Sequence, residues 1–298
     1  MLTYDRHAWF SHIFARSGSV LHAVLPRMLG LFAISIATLL LHRAGHVRDV
    51  PAMVHAVLGT VLGLILAFRT NTAYDRFWEG RRAWGLITNR TRDLARQCHA
   101  LLPIEADHHR VAKFLSGFAH ATKRHLWQEK EVPELAEFFS PGEIAALTEA
   151  PGAPQRCLLG LSDLLIRAKR SGQLTDVELT MVDRNITELQ DQLGVCQRIQ
   201  RTPIPLAYVI FLRRFILMYL ITLPLALIDQ AGWWTPFIML IVSYAMLGIE
   251  ELGVQIEDPF EQSPSDINLD RLARNVQRDV IAIMGGHEPV PHSLPMRS

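Results

Sequence analysis

Four apolar runs divide the chain into two pairs on either side of a charged middle. They cover residues 28–41, 50–68, 215–228 and 231–249. The second and fourth runs each have nineteen residues, near the roughly 20 that a helix needs to cross a bilayer core. The first and third have fourteen, but both extend backwards past arginines that can snorkel to the interface: Arg27 in one case, Arg213 and Arg214 in the other. The pattern predicts four transmembrane helices in two hairpins.

The charged middle is predicted to be a helical domain inserted between the hairpins. Stretches such as DVELTMVDRNITELQDQLGVCQRI place apolar residues near the 3.6-residue period of a helix. The predicted organisation is an N-terminal segment 1–19, a first hairpin 20–68 (spans at about 20–42 and 50–68), the helical domain 69–212, a second hairpin 213–250 and a C-terminal segment 251–298. We expect the end of that segment, GGHEPVPHSLPMRS, to be disordered because it has little to bury.

The distribution of arginine predicts the orientation in the membrane. Residues 69–96 contain seven arginines, whereas the turn at 229–230 contains no Lys or Arg and the connection at 42–49 contains only Arg43 and Arg48. Positive residues accumulate on the cytoplasmic side. Both termini and the middle domain are therefore expected in the cytoplasm.

Composition agrees with a mixture of membrane helices and polar segments. Of 298 residues, 49% are hydrophobic and 20% are charged, and the mean hydropathy is +0.16. The net charge of +1, without any block of Lys and Arg, gives no reason to expect nucleic acid as a partner. The cysteines are far apart and are expected to be reduced thiols: Cys98, Cys157 and Cys196.

Enzyme and metal motifs are missing from the sequence. No GxSxG, HExxH, P-loop or GxGxxG pattern occurs, so neither an enzyme nor a cofactor is expected. The pairs His108/His109 and His120/His125 have spacings that do not bring imidazoles together on one helix face. We expect these four to be surface histidines and predict no metal site.

Three segments in order carry a resemblance to a known family. They are FRTNTAYDRFWEGRRAWG at 68–85, RTPIPLAYVIFLRRF at 201–215 and EELGVQIEDPF at 250–260. Together, within the pattern of four spans, they resemble the bacterial branch of the bestrophin family over residues 20 to 275, roughly.

The resemblance implies a fold and a function. Bestrophins are homopentameric ion channels with an axial pore, so the expected fold is an all-α membrane protein with four transmembrane helices per subunit and a helical cytoplasmic domain. The implied partners are four further copies of the chain, membrane lipid and monovalent ions, with cations such as Na⁺ or K⁺ implied by the bacterial branch. The implied location is the bacterial inner membrane. A membrane-anchored helical signalling or scaffold protein without conduction is the alternative.

The predicted pore neck lies on the second span. Thr60, Leu64 and Phe68 recur at i, i+4 and i+8, so they share one helix stripe. The resemblance assigns these positions to a hydrophobic neck, where narrow apolar rings gate by dewetting; Thr60 departs from a fully apolar ring. The alternative is that Leu64 and Phe68 pack in the core. Gly59 and Gly63 form a GxxxG pattern that would let a second helix approach closely.

Two further expectations concern the cytoplasmic part. Counting back from PIPLAY, the resemblance assigns Ile186 to a cytoplasmic aperture, and the alternative is a buried isoleucine in helix packing. The charges of RFWEGRR, residues 76–82, are expected to pair with neighbouring subunits, the alternative being a juxtamembrane belt.

The acidic residues after the fourth span argue against a calcium site. Eukaryotic bestrophins have consecutive acids there, whereas here they are dispersed: Glu257, Asp258, Glu261, Asp266 and Asp270. Asp266, Asn268 and Asp270 have the opening spacing of an EF-hand, but Arg271 replaces the required glycine and Gln277 replaces the bidentate glutamate. We expect solvated acids and helix N-caps instead.

Overall fold

The computed structural model describes residues 20–149, 152–263 and 265–285, and these ranges contain helices and no strand. The predicted segment 1–19 and the tail from residue 286 lie outside them. The α-helices are α1 (Leu21–Arg43), α2 (Ala52–Leu101), α3 (Glu105–Leu126), α4 (Pro141–Thr148), α5 (Ala153–Arg170), α6 (Asp176–Arg201), α7 (Leu206–Ala231), α8 (Thr235–Gln255) and α9 (Leu269–Ile283). Two 3₁₀ turns cover Pro133–Glu137 and Gly232–Trp234.

The apolar runs form four helices, as predicted. Three continuous helical stretches are long and apolar enough to cross a membrane, namely Leu21–Arg43, Ala52–Leu101 and Leu206–Gln255. The last consists of α7 and α8 joined by the 3₁₀ turn Gly232–Trp234. The predicted boundaries at residues 69 and 212 both fall inside continuous helices, so the domain limits stay a prediction.

The chain forms two compact units, and the first contains the apolar helices. Arg213 near the start of α7 donates to Glu250 near the end of α8 at 2.9 Å, which fixes these helices as an antiparallel hairpin. α1 also runs antiparallel to α8, because Arg27 bonds Glu251 at 3.3 Å and, at the other end, the Arg43 guanidinium lies 4.5 Å from the Trp233 ring. Their common core includes Val24, Leu62, Leu66, Leu220 and Met239.

The second unit is the helical part between residues 79 and 201 together with α9. In it α3 packs against both α5 and α9. Buried side chains of its core come from α2, α3, α5, α6 and α9: Trp84, Phe118, Leu161, Leu189 and Val276. The buried positions of α5, α6 and α9 follow the helical period, so each of these helices buries one stripe. α3 is different, because its residues 115–123 are buried on every side of the helix.

Candidate functional site

The predicted neck stripe of α2, formed by Thr60, Leu64 and Phe68, is exposed in the single chain. The side chains of Leu64 and Phe68 are 58% and 61% exposed, and Thr60 is exposed as well. They therefore do not pack in the core of the chain, which removes the alternative stated above. The Thr60 hydroxyl donates to the Ala56 carbonyl at 2.9 Å, so its hydrogen is used within the helix and the position is less polar than its residue type indicates.

The opposite face of α2 is firmly packed. Leu62 and Leu66 are buried in the core of the first unit. The His55 Nε2 atom lies 3.0 Å from the Thr222 hydroxyl of α7. Gly59 allows the Tyr219 side chain to approach, because a Cβ at residue 59 would lie 2.6 Å from the phenol oxygen. The close approach expected of the GxxxG pattern thus involves a tyrosine, and a Cβ at Gly63 would meet nothing within 4 Å.

Arg69, the first charged residue after the apolar run, is buried. Its Nη1 atom donates to the Glu250 carbonyl at 3.1 Å, and its Nη2 atom lies 3.5 Å from the Glu257 carboxylate. Gly253 makes this position possible, since a Cβ there would lie 2.2 Å from Arg69 Nη1. A buried guanidinium needs such partners to offset its desolvation.

Glu257, in the segment 250–260, also bonds to residues of the other two segments, 201–215 and the part of α2 at 68–85. Its side chain accepts from the Ile204 backbone N–H at 3.0 Å, and its carbonyl accepts from Arg76 Nε at 3.0 Å. Arg76 Nη1 donates to the Thr202 carbonyl at 2.6 Å. The three segments that carry the family resemblance are therefore one hydrogen-bonded cluster, which the sequence did not reveal because the bonded residues lie between 53 and 188 positions apart along the chain.

Two of the charged residues within 76–82 have partners inside the chain. Arg76 bonds within the chain, and Glu79 pairs with Arg198 of the same chain at 2.6 Å. Neither therefore depends on a neighbouring subunit for a partner. Arg81 and Arg82 are exposed.

Ile186 on α6 is nearly buried within the chain. It is only 7% exposed and packs in the second unit. This burial favours the helix-packing alternative, and the assignment to a cytoplasmic aperture stays a prediction. On the same helix, Val177 and Met181 are the large apolar side chains left exposed.

Asn268 and Asp270, which belong to the incomplete EF-hand pattern, have structural roles. The Asn268 side chain caps α9 by accepting from the Arg271 backbone N–H at 2.8 Å. Asp270 accepts from the fully buried Lys123 ammonium at 2.9 Å. Among the described residues, no three His, Cys, Asp or Glu side chains are grouped to hold a metal ion.

Two expectations about titratable side chains have different outcomes. All three cysteines are free and buried, and burial raises the pKa of the Cys157 and Cys196 thiols to about 12. His120 is not a surface residue, because it is buried and its Nε2 atom lies 2.6 Å from Gln277 Oε1. Burial also lowers the pKa of this imidazole.

These features define a membrane protein of four apolar helices whose second helix extends far past its apolar part with an uncovered apolar stripe. Residues 1–282 match the family described as Bacterial/Fungal Bestrophin protein. The chain belongs to this family, which confirms the resemblance drawn from the three segments.

Similar proteins are known by sequence and by structure. A voltage-dependent anion channel-forming protein of Nostoc sp. is 36% identical, over 94% of this chain and 92% of its own length. One of the same name from Synechocystis sp. is 33% identical, over 94% of each chain. The crystal structure of a bacterial bestrophin homolog from Klebsiella pneumoniae superposes with a TM-score of 0.85 at 26% identity, over 89% of this chain and all of that one.

Proposed function

We propose that five copies of this chain form an ion channel in the bacterial inner membrane, with both termini in the cytoplasm. The observation that supports this most directly is the exposed stripe of Thr60, Leu64 and Phe68 on a helix whose opposite face is packed. On a membrane helix, an exposed apolar stripe faces lipid, another chain or a pore. In a ring of five helices with this stripe turned to the axis, it lines the pore.

The neck in this proposal is a stack of three rings. Successive residues four apart on a helix are separated by about 6 Å along its axis, so five Leu64 and five Phe68 side chains form two adjacent apolar rings. Water and hydrated ions are disfavoured in a narrow apolar tube, and such rings therefore gate flow without distinguishing the sign of the ion. Selectivity must come from charges elsewhere.

For the permeating ion, we propose a monovalent cation. Asp75 follows Phe68 by seven residues, which is two helical turns, so it continues the neck stripe. It is exposed, and within the described part of the chain its carboxylate has no hydrogen-bond or ion-pair partner. A ring of carboxylates favours cations.

An anion channel is the second candidate, supported by the names of the Nostoc and Synechocystis relatives. Arg82 follows Asp75 by another seven residues and is exposed. A ring of arginines at that spacing favours anions. The two candidates thus assign selectivity to oppositely charged residues of one helix.

The test is a reversal-potential measurement on purified protein in planar bilayers with a gradient of KCl. The cation channel gives a potential close to the K⁺ equilibrium potential, and Asp75→Asn shifts it towards zero while Arg82→Gln leaves it in place. A potential close to that of Cl⁻, shifted by Arg82→Gln alone, establishes the anion channel instead. If assembled protein carries no current across several preparations, the signalling or scaffold alternative is the better account. Subunit number from mass measurement in detergent tests the pentamer separately.

A further inference from the structure

A groove among the apolar helices is distinct from the proposed pore. It lies within the first unit between α1, α7 and α8, and its volume is about 450 Å³. That is within the range of about 300–1,000 Å³ typical of small-molecule sites. We call it the α1–α7 groove, because those two helices supply most of its wall. α2 contributes no residue to it.

The two main walls have the same pattern. On α1 the groove is lined by Arg27, Gly30, Leu31 and Ile34, and on α7 by Arg213, Ile216, Leu217 and Leu220. Each set has the spacing i, i+3, i+4 and i+7, which is one face of a helix. In both, the arginine comes first and the following two turns are apolar or glycine. At 1.5 Å per residue, each wall is about 10 Å long from the arginine to its last apolar residue, and its apolar part is about 6 Å long.

At the arginine end of the groove, the two guanidinium groups have N–H donors that can bind a further acceptor. Arg213 uses Nε for the buried Glu250 carboxylate at 2.9 Å, and its terminal nitrogens have no partner among the described residues. Arg27 directs Nη2 at Glu251 and Nη1 at Glu250, at 3.3 and 3.8 Å. The two side chains are still 57% and 52% exposed, respectively. A guanidinium has five donors, so both can bind a further anion.

We propose that the α1–α7 groove binds one anionic phospholipid, with an acyl chain along the apolar wall and the headgroup phosphate between Arg27 and Arg213. The guanidinium fork matches phosphate oxygens. Basic pockets between transmembrane helices on the cytoplasmic side bind anionic headgroups in this manner, and the arginine-rich side is the predicted cytoplasmic side. This inference rests on the membrane placement of the helices, which is part of the proposed function, and not on ion conduction.

Gly30 permits a test of the acyl-chain part. It lies on the groove wall, and a Cβ there meets nothing within 4 Å. Gly30→Leu therefore places an apolar side chain at the groove wall from a Cβ that has free space around it, and leucine is the better helix former. Ala33→Leu is the matched control, since Ala33 is an exposed residue of α1 that does not line the groove.

Arg27→Gln tests the headgroup part. We choose Arg27 and not Arg213, because replacing Arg27 leaves the bond between the buried Glu250 and Arg213 in place. Arg43→Gln is the control at the opposite end of α1, where the guanidinium lies over Trp233.

The experiment is native mass spectrometry of the purified full chain in uncharged detergent, titrated with phosphatidylglycerol or with phosphatidylcholine of the same acyl chains. We expect one tightly bound phosphatidylglycerol per chain and at least tenfold weaker binding of phosphatidylcholine, about the loss of one charge-assisted contact. Gly30→Leu and Arg27→Gln should each weaken phosphatidylglycerol binding about tenfold, whereas Ala33→Leu and Arg43→Gln should not. Glycerol phosphate without acyl chains should not compete at matched concentrations.

Other results overturn the proposal. Equal affinity for the two lipids excludes recognition of the charged headgroup, and competition by glycerol phosphate shows a simple anion site. If Gly30→Leu breaks the oligomer while lipid binding is unchanged, the groove is a contact with a second copy of the chain. Conduction is measured in parallel. A protein that binds phosphatidylglycerol and carries no current refutes only the channel, and a protein that conducts but does not bind phosphatidylglycerol refutes only this site.

Discussion

Replacing Glu134 by glutamine should destabilise the second unit in a manner that depends on pH. The Glu134 carboxylate accepts from the buried Lys123 ammonium at 2.5 Å and from Arg124 Nη2 at 2.7 Å. Burial alone would raise the pKa of this carboxyl group, but the hydrogen bonds from Arg124 and Lys123 outweigh it and lower the pKa to about 2. Lys123 keeps Asp270 as a partner in the variant, so the unit should still fold.

The magnitude follows from that pKa. A fall from the ordinary value of 4.5 to about 2 corresponds to about 3 kcal/mol in favour of the folded state when the carboxylate is ionised. Since the folded-state pKa is the lower one, this contribution is complete above pH 4.5 and is lost as the pH falls towards 2. Glu134→Gln should thus cost about 3 kcal/mol at pH 7 and progressively less in acid.

Glu143 provides a matched control. Hydrogen bonds from Lys113 and from Ser140 lower its pKa to about 2 as well. Its side chain, however, is 50% exposed against 18% for Glu134, and exposed ion pairs contribute about 1 kcal/mol or less because water screens them. Glutamine at residue 143 can also keep the capping box with Ser140 at the start of α4.

The assay is thermal unfolding of the purified protein in detergent at pH 7 and pH 3.5. We expect Glu134→Gln to lower the Tm by roughly 6 °C at pH 7 and by at least a third less at pH 3.5, while Glu143→Gln changes it by no more than about 2 °C. A Tm loss for Glu134→Gln that is equal at both pH values, or no larger than that for Glu143→Gln, would refute this reasoning.

Three further predictions concern the neck, the Arg69 cluster and the thiols. Leu64→Ala and Phe68→Ala should raise single-channel conductance with the oligomer intact, because the exposed side chains contribute little to the core of the chain; unchanged conductance in well-assembled variants would remove the neck. Gly253→Ala should cost about 1–3 kcal/mol by displacing Arg69, whereas Gly248→Ala on the same helix meets nothing within 4 Å and should be neutral or stabilising, which thermal unfolding can distinguish. The thiols of Cys157 and Cys196 should resist iodoacetamide at pH 8 until the protein is denatured, because little thiolate forms when the pKa is about 12; rapid labelling of folded protein would contradict their burial.

Hydropathy and helical periodicity predicted the helices well because they are properties of neighbouring residues. The apolar runs and the 3.6-residue stripes depend only on local spacing. Spacing placed Leu64 and Phe68 on one stripe, but it was the family resemblance that assigned this stripe to a pore and not to the core. The sequence led us to expect helix N-caps after the fourth span without naming the capping residue, which is Asn268. Local spacing also could not say which distant partner Asp270 would bond.

The burial and the bonding partners that the sequence did not predict all depend on contacts between distant segments. Ile186 was assigned by counting along the chain, and a helix turns by 100° per residue, so its burial cannot be fixed by a count. His120 has an unremarkable spacing from other histidines, and it is buried because Gln277 of α9 lies against it. The pairing of Arg76 with residues after 200 has no local signal at all.

The contact between Gly253 and Arg69 has a consequence for how this sequence can vary. Since a Cβ at residue 253 would lie 2.2 Å from the guanidinium, a substitution at 253 obliges the Arg69 side chain to leave its position. An arginine at 69 therefore favours glycine at 253, whereas a shorter residue at 69 removes this constraint but leaves the Glu257 carboxylate without that ion pair. Among related proteins the two positions should therefore covary. Residues larger than glycine at 253 should occur mainly where residue 69 is no longer arginine.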